Sequence, residues 1–287
     1  MHRMEAKSIL SAQNGMNLCR GCLHGCIYCD SRSTCYQINH DFEDIAIKAN
    51  APELLEKALR SKRRKCMIGT GSMSDPYLPQ KDVLALTRRC LELIAQYDFG
   101  ATVLTKSDLV LRDLELLKQI NRQQKAVVQM TLTTFDESLC RIIEPHVCTT
   151  ARRAEVLRIL HENGIPTVVW LTPLLPWIND TEENLRGILQ YCIEAHVTGI
   201  VCFGIGLTLR DGNREYFYRA LDRHFPALRR RYEQTFGEAY EIVSPNHVRL
   251  MRIFHETCSA HGILHSPEDC FRYLKELPEP FEQLTLM

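Results

Sequence analysis

Three cysteines near the N-terminus are the residues of this sequence best suited to do chemistry. Cys22, Cys26 and Cys29 lie in the stretch RGCLHGCIYCD with the spacing C-x3-C-x2-C. Thiolates are soft ligands that favour iron–sulfur clusters, zinc or copper(I). A cubane cluster normally takes four cysteines, so three would leave one iron open to another ligand. The spacing therefore predicts a cluster site with an open coordination position.

A structural zinc site is the main alternative use of these cysteines. His24 or Cys19 could supply a fourth ligand, giving three thiolates with an imidazole or four thiolates, the sets that structural zinc prefers. Such a site would make the chain a zinc-stabilised nucleic-acid-binding module without catalysis. A further interpretation keeps the cluster but uses it as a redox sensor. Both alternatives remain open at this point.

The composition narrows the class of protein and its compartment. The chain has 287 residues and a formal net charge of zero, so no overall field attracts nucleic acid or an anionic membrane. The N-terminus lacks an apolar signal segment, and no run approaches the roughly 18 apolar residues of a spanning helix. Ten further cysteines are scattered rather than framing short loops, which suits a reducing compartment. We therefore expect a cytoplasmic protein without membrane association.

Apolar strand-like runs alternate with amphipathic helical runs, the pattern of βαβ units around a parallel sheet. The predicted strands are 65–69, 101–105, 126–133, 166–172 and 199–203, with a further candidate at 8–12. The predicted helices are 53–61, 82–97, 110–119, 151–163, 181–195 and 214–223. This is an α/β chain with about six β/α repeats, fewer than the eight of a closed barrel. We expect a core domain at 1–225, with the cysteine loop at 19–32, and a mostly helical extension at 226–287 packed on it.

Polar residues follow the predicted strands at their carboxyl ends, where functional groups of parallel β/α folds gather. The segments concerned are 69–77, 105–107, 131–134 and 172–176. Singly, each could be an ordinary turn or strand end. Their repetition at equivalent positions predicts a binding site at this edge of the sheet.

The cysteine loop resembles that of the radical S-adenosylmethionine (SAM) enzymes, with Tyr28 in the aromatic position before the third cysteine. Over about residues 5–270 the chain looks like the spore photoproduct lyase-like branch, through the motifs RGC at 20–22, HGC at 24–26, SDPY at 74–77, TKS at 105–107 and PLLP at 173–176. It is still more similar to radical SAM mobile pair proteins, through CDSRS at 29–33 and REYF at 214–217.

The resemblance implies a partial (β/α)6 TIM-like barrel and a [4Fe–4S] cluster on Cys22, Cys26 and Cys29. SAM would chelate the fourth iron, and one electron would cleave it to a 5′-deoxyadenosyl radical that abstracts hydrogen from an unidentified substrate. Nucleic acid is one candidate substrate class. The implied partners are a low-potential electron donor of the flavodoxin or ferredoxin type and a companion radical SAM protein.

Five residues are expected to contact SAM. Lys106 offers a point positive charge for the SAM carboxylate, and Tyr28 could pack against the adenine. Hydroxyl groups of Ser74, Thr131 and Thr172 could hydrogen-bond the amino, ribose or adenine groups.

The sequence also departs from the lyase pattern. The lyase has a hydrogen-donating cysteine two residues before its Ser-Asp pair, and this chain has Ser72 there. A serine O–H is a poor hydrogen donor to a carbon radical, so thymine-dimer repair by the same route is not expected. Tyr77 and Cys140 are the candidate catalytic replacements. Cys258 and Cys270 are too few for an auxiliary cluster.

The segment 209–232 could grip a nucleic acid, because arginines that alternate with aromatic residues can hold phosphates and stack on bases. A solvated helix face would give a similar pattern. The residues concerned are Arg210, Arg214, Arg219, Arg223, Arg229, Arg230 and Arg231, with Tyr216, Phe217, Tyr218 and Tyr232.

Overall fold

A computed structural model describes residues 1–278. The strands, in chain order, are β1 (His2–Met4), β2 (Gly15–Met16), β3 (Cys19–Arg20), β4 (Ala46–Lys48), β5 (Met67–Thr70), β6 (Gly100–Thr105), β7 (Ala126–Thr131), β8 (Thr167–Trp170), β9 (Gly199–Val201), β10 (Gly206–Thr208) and β11 (Glu241–Val243). The α-helices are α1 (Ala51–Ser61), α2 (Lys81–Gln96), α3 (Leu114–Gln123), α4 (Glu137–Ile143), α5 (Thr150–Glu162), α6 (Glu182–Glu194), α7 (Asn213–His224), α8 (Leu228–Phe236), α9 (His247–Ala260) and α10 (Pro267–Lys275).

Six strands form one parallel sheet in the order β2-β5-β6-β7-β8-β9. Every neighbouring pair is parallel, and the six strands have the same order in the sheet as in the sequence. Within the described residues β9 does not pair with β2, so the sheet is open. This arrangement confirms the α/β fold and the partial (β/α)6 barrel expected from the sequence.

The central strands are buried on both faces, because helices cover the outer face and α10 covers part of the inner one. In β7 all six residues are buried. Val128 packs in the large core formed with the surrounding helices, whereas its neighbour Val127 packs on the opposite face. On that inner face, Cys270 and Leu274 of α10 complete a smaller core. The C-terminal helix therefore fills part of the inner side of the open barrel.

Several helix ends follow from capping residues in the sequence. The side chain of Thr181 accepts a hydrogen bond from the Asn184 N–H and begins α6. Gly164 follows the C-terminal end of α5 and adopts a φ of 72°, as expected for a glycine just after a helix. The helix α4 was not predicted from the sequence. Its N-cap Asp136 accepts from the Leu139 N–H, a signal that the sequence contained.

The two ends of the core differ from the sequence expectation. The candidate strand at 8–12 is wrong, because the strand that pairs with β5 is Gly15–Met16. A small sheet of β1, β4 and β3 was not predicted, and the cysteine loop begins directly after its strand β3. The extension beyond residue 225 is mostly helical as expected. It also supplies β11, which pairs antiparallel with β10 of the core.

Among the residues that the structure describes, no helix is long and apolar enough to span a membrane.

Candidate active site

The three cysteines of the loop after β3 line one cleft at the carboxyl edge of the parallel sheet. The cleft contains about 610 Å³ of space, which is continuous with solvent at its mouth. The rest of its lining comes from the segment after the cysteines, including Arg32 and Phe42, from the loop after β5, and from the carboxyl ends of β6 and β7. The structure therefore brings the cysteine motif together with three of the four strand-end segments identified in the sequence.

Glycines allow the backbone to close tightly around this cleft. Gly21 has a φ of 86°, and a Cβ there would lie 2.3 Å from the Phe42 carbonyl oxygen. Gly71 has a φ of 101°, and a Cβ there would lie 1.9 Å from the Leu104 carbonyl oxygen. Both positions therefore exclude other residues on conformational and steric grounds.

The environment of the thiols determines the form in which they could bind metal. Burial raises the pKa of the Cys22 thiol to about 12, although backbone N–H groups of His24 and Asp75 act in the opposite direction. Burial also raises the pKa of the Cys26 thiol well above its ordinary value. Because the thiolate is the metal ligand, metal binding at these residues must release protons.

Asp75 connects the cysteine loop to the strand ends. Its Oδ2 accepts from His24 Nε2 at 2.8 Å and from the Lys106 N–H at 2.7 Å, and its Oδ1 accepts from Thr105 Oγ1 at 2.7 Å. Burial raises the pKa of Asp75, but His24 and these hydrogen bonds lower it by more. An ionised carboxylate only accepts, so Nε2 of His24 carries a hydrogen. The sequence contained this residue in the SDPY motif but did not indicate its role.

Lys106 brings a positive charge to the cleft wall. Its ammonium nitrogen lies 5.6 Å from the centre of the Tyr28 ring. Burial lowers the pKa of Lys106, but Cys26 and then Glu144 raise it by more, so its pKa lies above the ordinary value. The side chain is therefore a permanent cation beside the cysteines.

A buried ionic network lies behind the cysteine loop. Glu144 and Arg153 form an ion pair with both side chains fully buried, and the Tyr28 hydroxyl donates to the same carboxylate. Arg153 also donates to the Thr131 carbonyl oxygen at 2.7 Å. The pKa of Glu144 is lowered on balance, because Arg153 and Lys106 outweigh the effect of burial. Sequence reasoning missed both members of this pair, since they lie just beyond the unpredicted helix α4 and in the helix that follows it.

Three of the five residues expected to contact SAM line the cleft, namely Ser74, Lys106 and Thr131. Ser74 Oγ donates to the Gly21 carbonyl oxygen at 2.7 Å and so holds the cysteine loop. The structure does not bring Tyr28 and Thr172 to the cleft lining. Tyr28 instead stabilises the cysteine loop through the hydrogen bond that its hydroxyl donates to Glu144.

The candidate hydrogen donors lie away from the cleft lining. Tyr77 is fully buried in the main core, and its hydroxyl donates to Asp113 at 3.2 Å. Cys140 is 1% exposed, with its sulfur 3.2 Å from an Arg153 nitrogen. Both positions argue against the predicted role in hydrogen transfer. Ser72 does line the cleft, with its hydroxyl 3.3 Å from Asn17 Oδ1.

The donor set fits a cluster better than a zinc ion. Within residues 1–278, no three His, Cys, Asp or Glu side chains lie close enough to bind one metal ion. Tetrahedral zinc with bonds of about 2.3 Å needs its thiolates within about 4 Å of each other, whereas cluster ligands bind different irons. Of the two candidate fourth ligands, Cys19 lines a different cavity. His24 lines the cleft and bonds Asp75 through Nε2, which leaves only its Nδ1 for a bound group.

One buried nitrogen atom at the cleft also indicates that a group binds there. His24 Nδ1 is inaccessible to water and has no hydrogen-bond partner in the described part of the chain. An orphaned buried nitrogen is costly unless something bonds it. Since His24 lines the cleft, this atom is one that a bound cofactor could satisfy.

Three of the four aromatic residues predicted to stack on bases in segment 209–232 are buried. Phe217 and Tyr232 are fully buried and Tyr218 is 6% exposed, all three in one core cluster. Arg214 donates to the carbonyl oxygens of Leu209 and Ala239, at 2.9 and 2.8 Å. Phe217, Tyr218, Tyr232 and Arg214 therefore stabilise the fold and are not available to a nucleic acid. Arg219, Arg223, Arg230 and Arg231 are exposed, so a phosphate-binding role for these arginines stays a prediction.

A parallel β/α sheet with a three-cysteine loop at its carboxyl edge defines the class of protein, and comparison with known families agrees. Residues 16–192 match the family model of the radical SAM superfamily. The chain belongs to this superfamily and is an enzyme of the radical SAM type, which uses SAM and an iron–sulfur cluster.

The relatives found in sequence comparison are uncharacterised proteins. One from Mycobacterium tuberculosis strain H37Rv is 30% identical over 239 residues, covering 81% of this chain and 69% of the relative. One from Methanocaldococcus jannaschii is 30% identical over 226 residues, covering 78% and 76%. One from Acidianus two-tailed virus is 26% identical over 248 residues, covering 82% and 80%.

The fold is similar to that of spore photoproduct lyase. A lyase structure with bound AdoMet and dinucleoside spore photoproduct matches with a TM-score of 0.63 and 13% identity, covering 87% of this chain and 74% of the lyase. A second, complexed with dinucleoside spore photoproduct, matches with a TM-score of 0.62 and 12% identity, covering 86% and 74%. The chain therefore has a spore photoproduct lyase-like fold.

Proposed function

We propose that Cys22, Cys26 and Cys29 hold a [4Fe–4S] cluster in the cleft and that SAM binds beside it. The observation that carries the proposal is the convergence of three thiols and the Lys106 ammonium on one glycine-walled cleft. When bound, the cluster and SAM would supply a 5′-deoxyadenosyl radical that abstracts hydrogen from a substrate. The chain's own residues would bind, orient and shield these groups.

Each residue of the cleft has a role in this proposal. Lys106 attracts the SAM carboxylate, and the Thr131 side chain offers a hydroxyl group at the same wall. Ser74 and Asp75 keep the cysteine loop in place through Gly21 and His24. Tyr28 and Thr172, which do not line the cleft, contribute only indirectly.

The substrate is left open, and nucleic acid is one candidate class. The similarity to a lyase structure that holds a dinucleoside supports this class at the level of fold alone. Against lyase chemistry itself, Ser72 occupies the position where the lyase pattern has a cysteine, and its hydroxyl is a poor hydrogen donor. Repair of thymine dimers by that route is not proposed.

The proposal includes a reductant and a compartment. A low-potential flavodoxin or ferredoxin would supply the electron, and a companion radical SAM protein is proposed only from the mobile-pair resemblance. A cytoplasmic location fits the free state of all thirteen cysteines.

The test is anaerobic reconstitution with iron and sulfide, reduction with dithionite in the presence of SAM, and chromatography for 5′-deoxyadenosine. We expect product from the wild type and none from Cys26→Ala. A full, reducible cluster without SAM binding would favour the redox sensor instead. A colourless protein that retains one zinc ion would favour the zinc module and overturn the proposal.

A further inference from the structure

A second cavity lies next to the cleft and has no part in the function proposed above. It contains about 980 Å³ of empty space up to its mouth. It is lined by Gly21 and by Met73, which also lines the cleft, so the two spaces have a common wall. Asn17 strengthens this wall, because its Oδ1 accepts from the Met73 N–H at 3.0 Å.

Positive charge dominates the lining of this second cavity. The lining contains three cations, Lys7, Arg20 and Lys48, and one carboxylate, Glu5, with Lys7 and Glu5 both exposed. The charged groups that act on Lys48 are Arg20 and Cys19, with no carboxylate among them. Burial and the Arg20 charge both lower the pKa of Lys48. Two cations held together without a counter-ion repel each other, and a bound anion would relieve this repulsion.

Rigid elements hold the two central cations. Lys48 ends β4, where it lies opposite Met4 of β1 in the small sheet. Arg20 on β3 donates through Nη2 to the carbonyl oxygens of Tyr36 and Gln37, at 2.6 and 3.0 Å. Because these bonds fix the Arg20 guanidinium, little of its side-chain entropy is lost when an anion binds.

We propose that this second cavity binds a phosphate group of the substrate, with Lys48 and Arg20 as the main cations. Three cations against one exposed carboxylate suit a phosphate better than a single carboxylate, which would leave the cations in excess. Because the two spaces have a common wall, a phosphate bound in the second cavity would lie next to the cleft. The assignment to the substrate rests on the function proposed above, whereas the binding of phosphate does not.

The first test is calorimetric titration of the reconstituted, SAM-bound protein with inorganic pyrophosphate. We expect Lys48→Met to weaken binding about tenfold or more, because a charge-assisted contact is lost while the aliphatic stem is kept. Lys48→Arg should restore most of the affinity. The matched control is Lys57→Met, an exposed lysine on α1 outside the cavity, which should bind like the wild type.

Three results would overturn the site: no pyrophosphate binding by the wild type, equal binding by Lys48→Met, or loss of binding in Lys106→Met alone. The last result would place the anion in the cleft instead. Circular dichroism and SAM affinity of Lys48→Met confirm that the variant is folded.

A second arm distinguishes the source of the phosphate. Titration with single-stranded oligothymidylate tests a nucleic-acid strand, and pyrophosphate tests a small phosphorylated metabolite. Lys48-dependent binding of the oligonucleotide supports the strand, and binding of pyrophosphate alone supports the metabolite. If the wild type forms no 5′-deoxyadenosine but binds pyrophosphate through Lys48, the site stands and its assignment to a substrate is wrong.

Discussion

Lys106 places a positive charge in the cleft that the three cysteines line. Its side chain emerges after β6 at the carboxyl edge of the sheet, and its backbone N–H is held by Asp75. A lysine ammonium is a compact point charge suited to a carboxylate. The raised pKa keeps it charged at neutral pH despite its burial.

We expect Lys106→Met to lower the affinity for SAM about tenfold or more while leaving the iron content unchanged. The methionine keeps the length of the side chain but removes its charge. Equilibrium dialysis with SAM and an iron assay on the reconstituted protein measure the two quantities. Lys81→Met, an exposed lysine of α2, is the matched control. Unchanged SAM affinity would count against the role assigned to Lys106.

Asp75 shows how a single buried carboxylate organises this site. It accepts hydrogen bonds from the cysteine loop, from Thr105 and Lys106 at the end of β6, and from the Tyr77 N–H of its own loop. The SDPY motif in the sequence marks the position, yet nothing in the motif indicates four donors from three segments. Only the folded chain brings them to one carboxylate.

At the level of elements, the pair of Glu144 and Arg153 joins α4 and α5 to the cysteine loop. Glu144 follows the end of α4, Arg153 lies near the start of α5, and Tyr28 approaches from the loop. Breaking a buried ion pair leaves one charge without compensation, which typically costs about 3–5 kcal/mol.

We therefore expect Glu144→Gln to lower the free energy of unfolding by about 3–5 kcal/mol, measured by denaturant titration. Adding Arg153→Met should recover part of the loss, because the orphaned charge is removed. Glu162→Gln breaks an exposed pair with Arg158 on the same helix as Arg153 and should cost less than about 1 kcal/mol. Equal losses from the two glutamine variants would show that the buried pair has no special role.

The effect of Glu144→Gln on the free energy of unfolding should depend on pH. The pKa of Glu144 in the folded state lies below its ordinary value of 4.5. Its stabilising contribution is therefore complete above about pH 4.5 and is lost as the pH falls through the folded pKa. The difference in unfolding free energy between wild type and Glu144→Gln should shrink on acidification. A difference that grows as the pH falls would contradict this sign.

On the scale of the whole molecule, the extension beyond residue 225 shares the core of the barrel. Its large apolar residues Leu250, Ile253, Phe254 and Ile263 are buried in the main cluster. Their burial contributes about 6–12 kcal/mol together, comparable with the total stability of about 5–15 kcal/mol for a typical protein. The division into two domains at residue 225 remains a prediction.

We expect a chain truncated to residues 1–225 to lack a cooperative thermal unfolding transition, whereas the full chain has one. The truncation removes β11 from its partner β10 and exposes the apolar inner face that α10 covers. Calorimetry and tryptophan fluorescence compare the two chains. A soluble 1–225 fragment with a sharp transition would support an independent core domain instead.

The sequence by itself identified the candidate metal ligands and the order of the elements. The spacing of Cys22, Cys26 and Cys29 is a local property of one loop, and the β/α alternation follows from runs of apolar residues. Five strands of the six-stranded sheet were therefore predicted to within a few residues. Lys106 was identified as a candidate site residue because it follows β6, and the carboxyl ends of parallel strands meet at one edge of the sheet.

The tertiary structure decided which side chains meet. The bond from Tyr28 to Glu144 joins residues 116 positions apart in the chain, and no local pattern encodes such a contact. The same holds for the burial of Phe217 and Tyr232, whose spacing alone suited a nucleic-acid surface equally well. Side-chain direction is set by the neighbours that exclude water, and those neighbours are known only once the chain is folded.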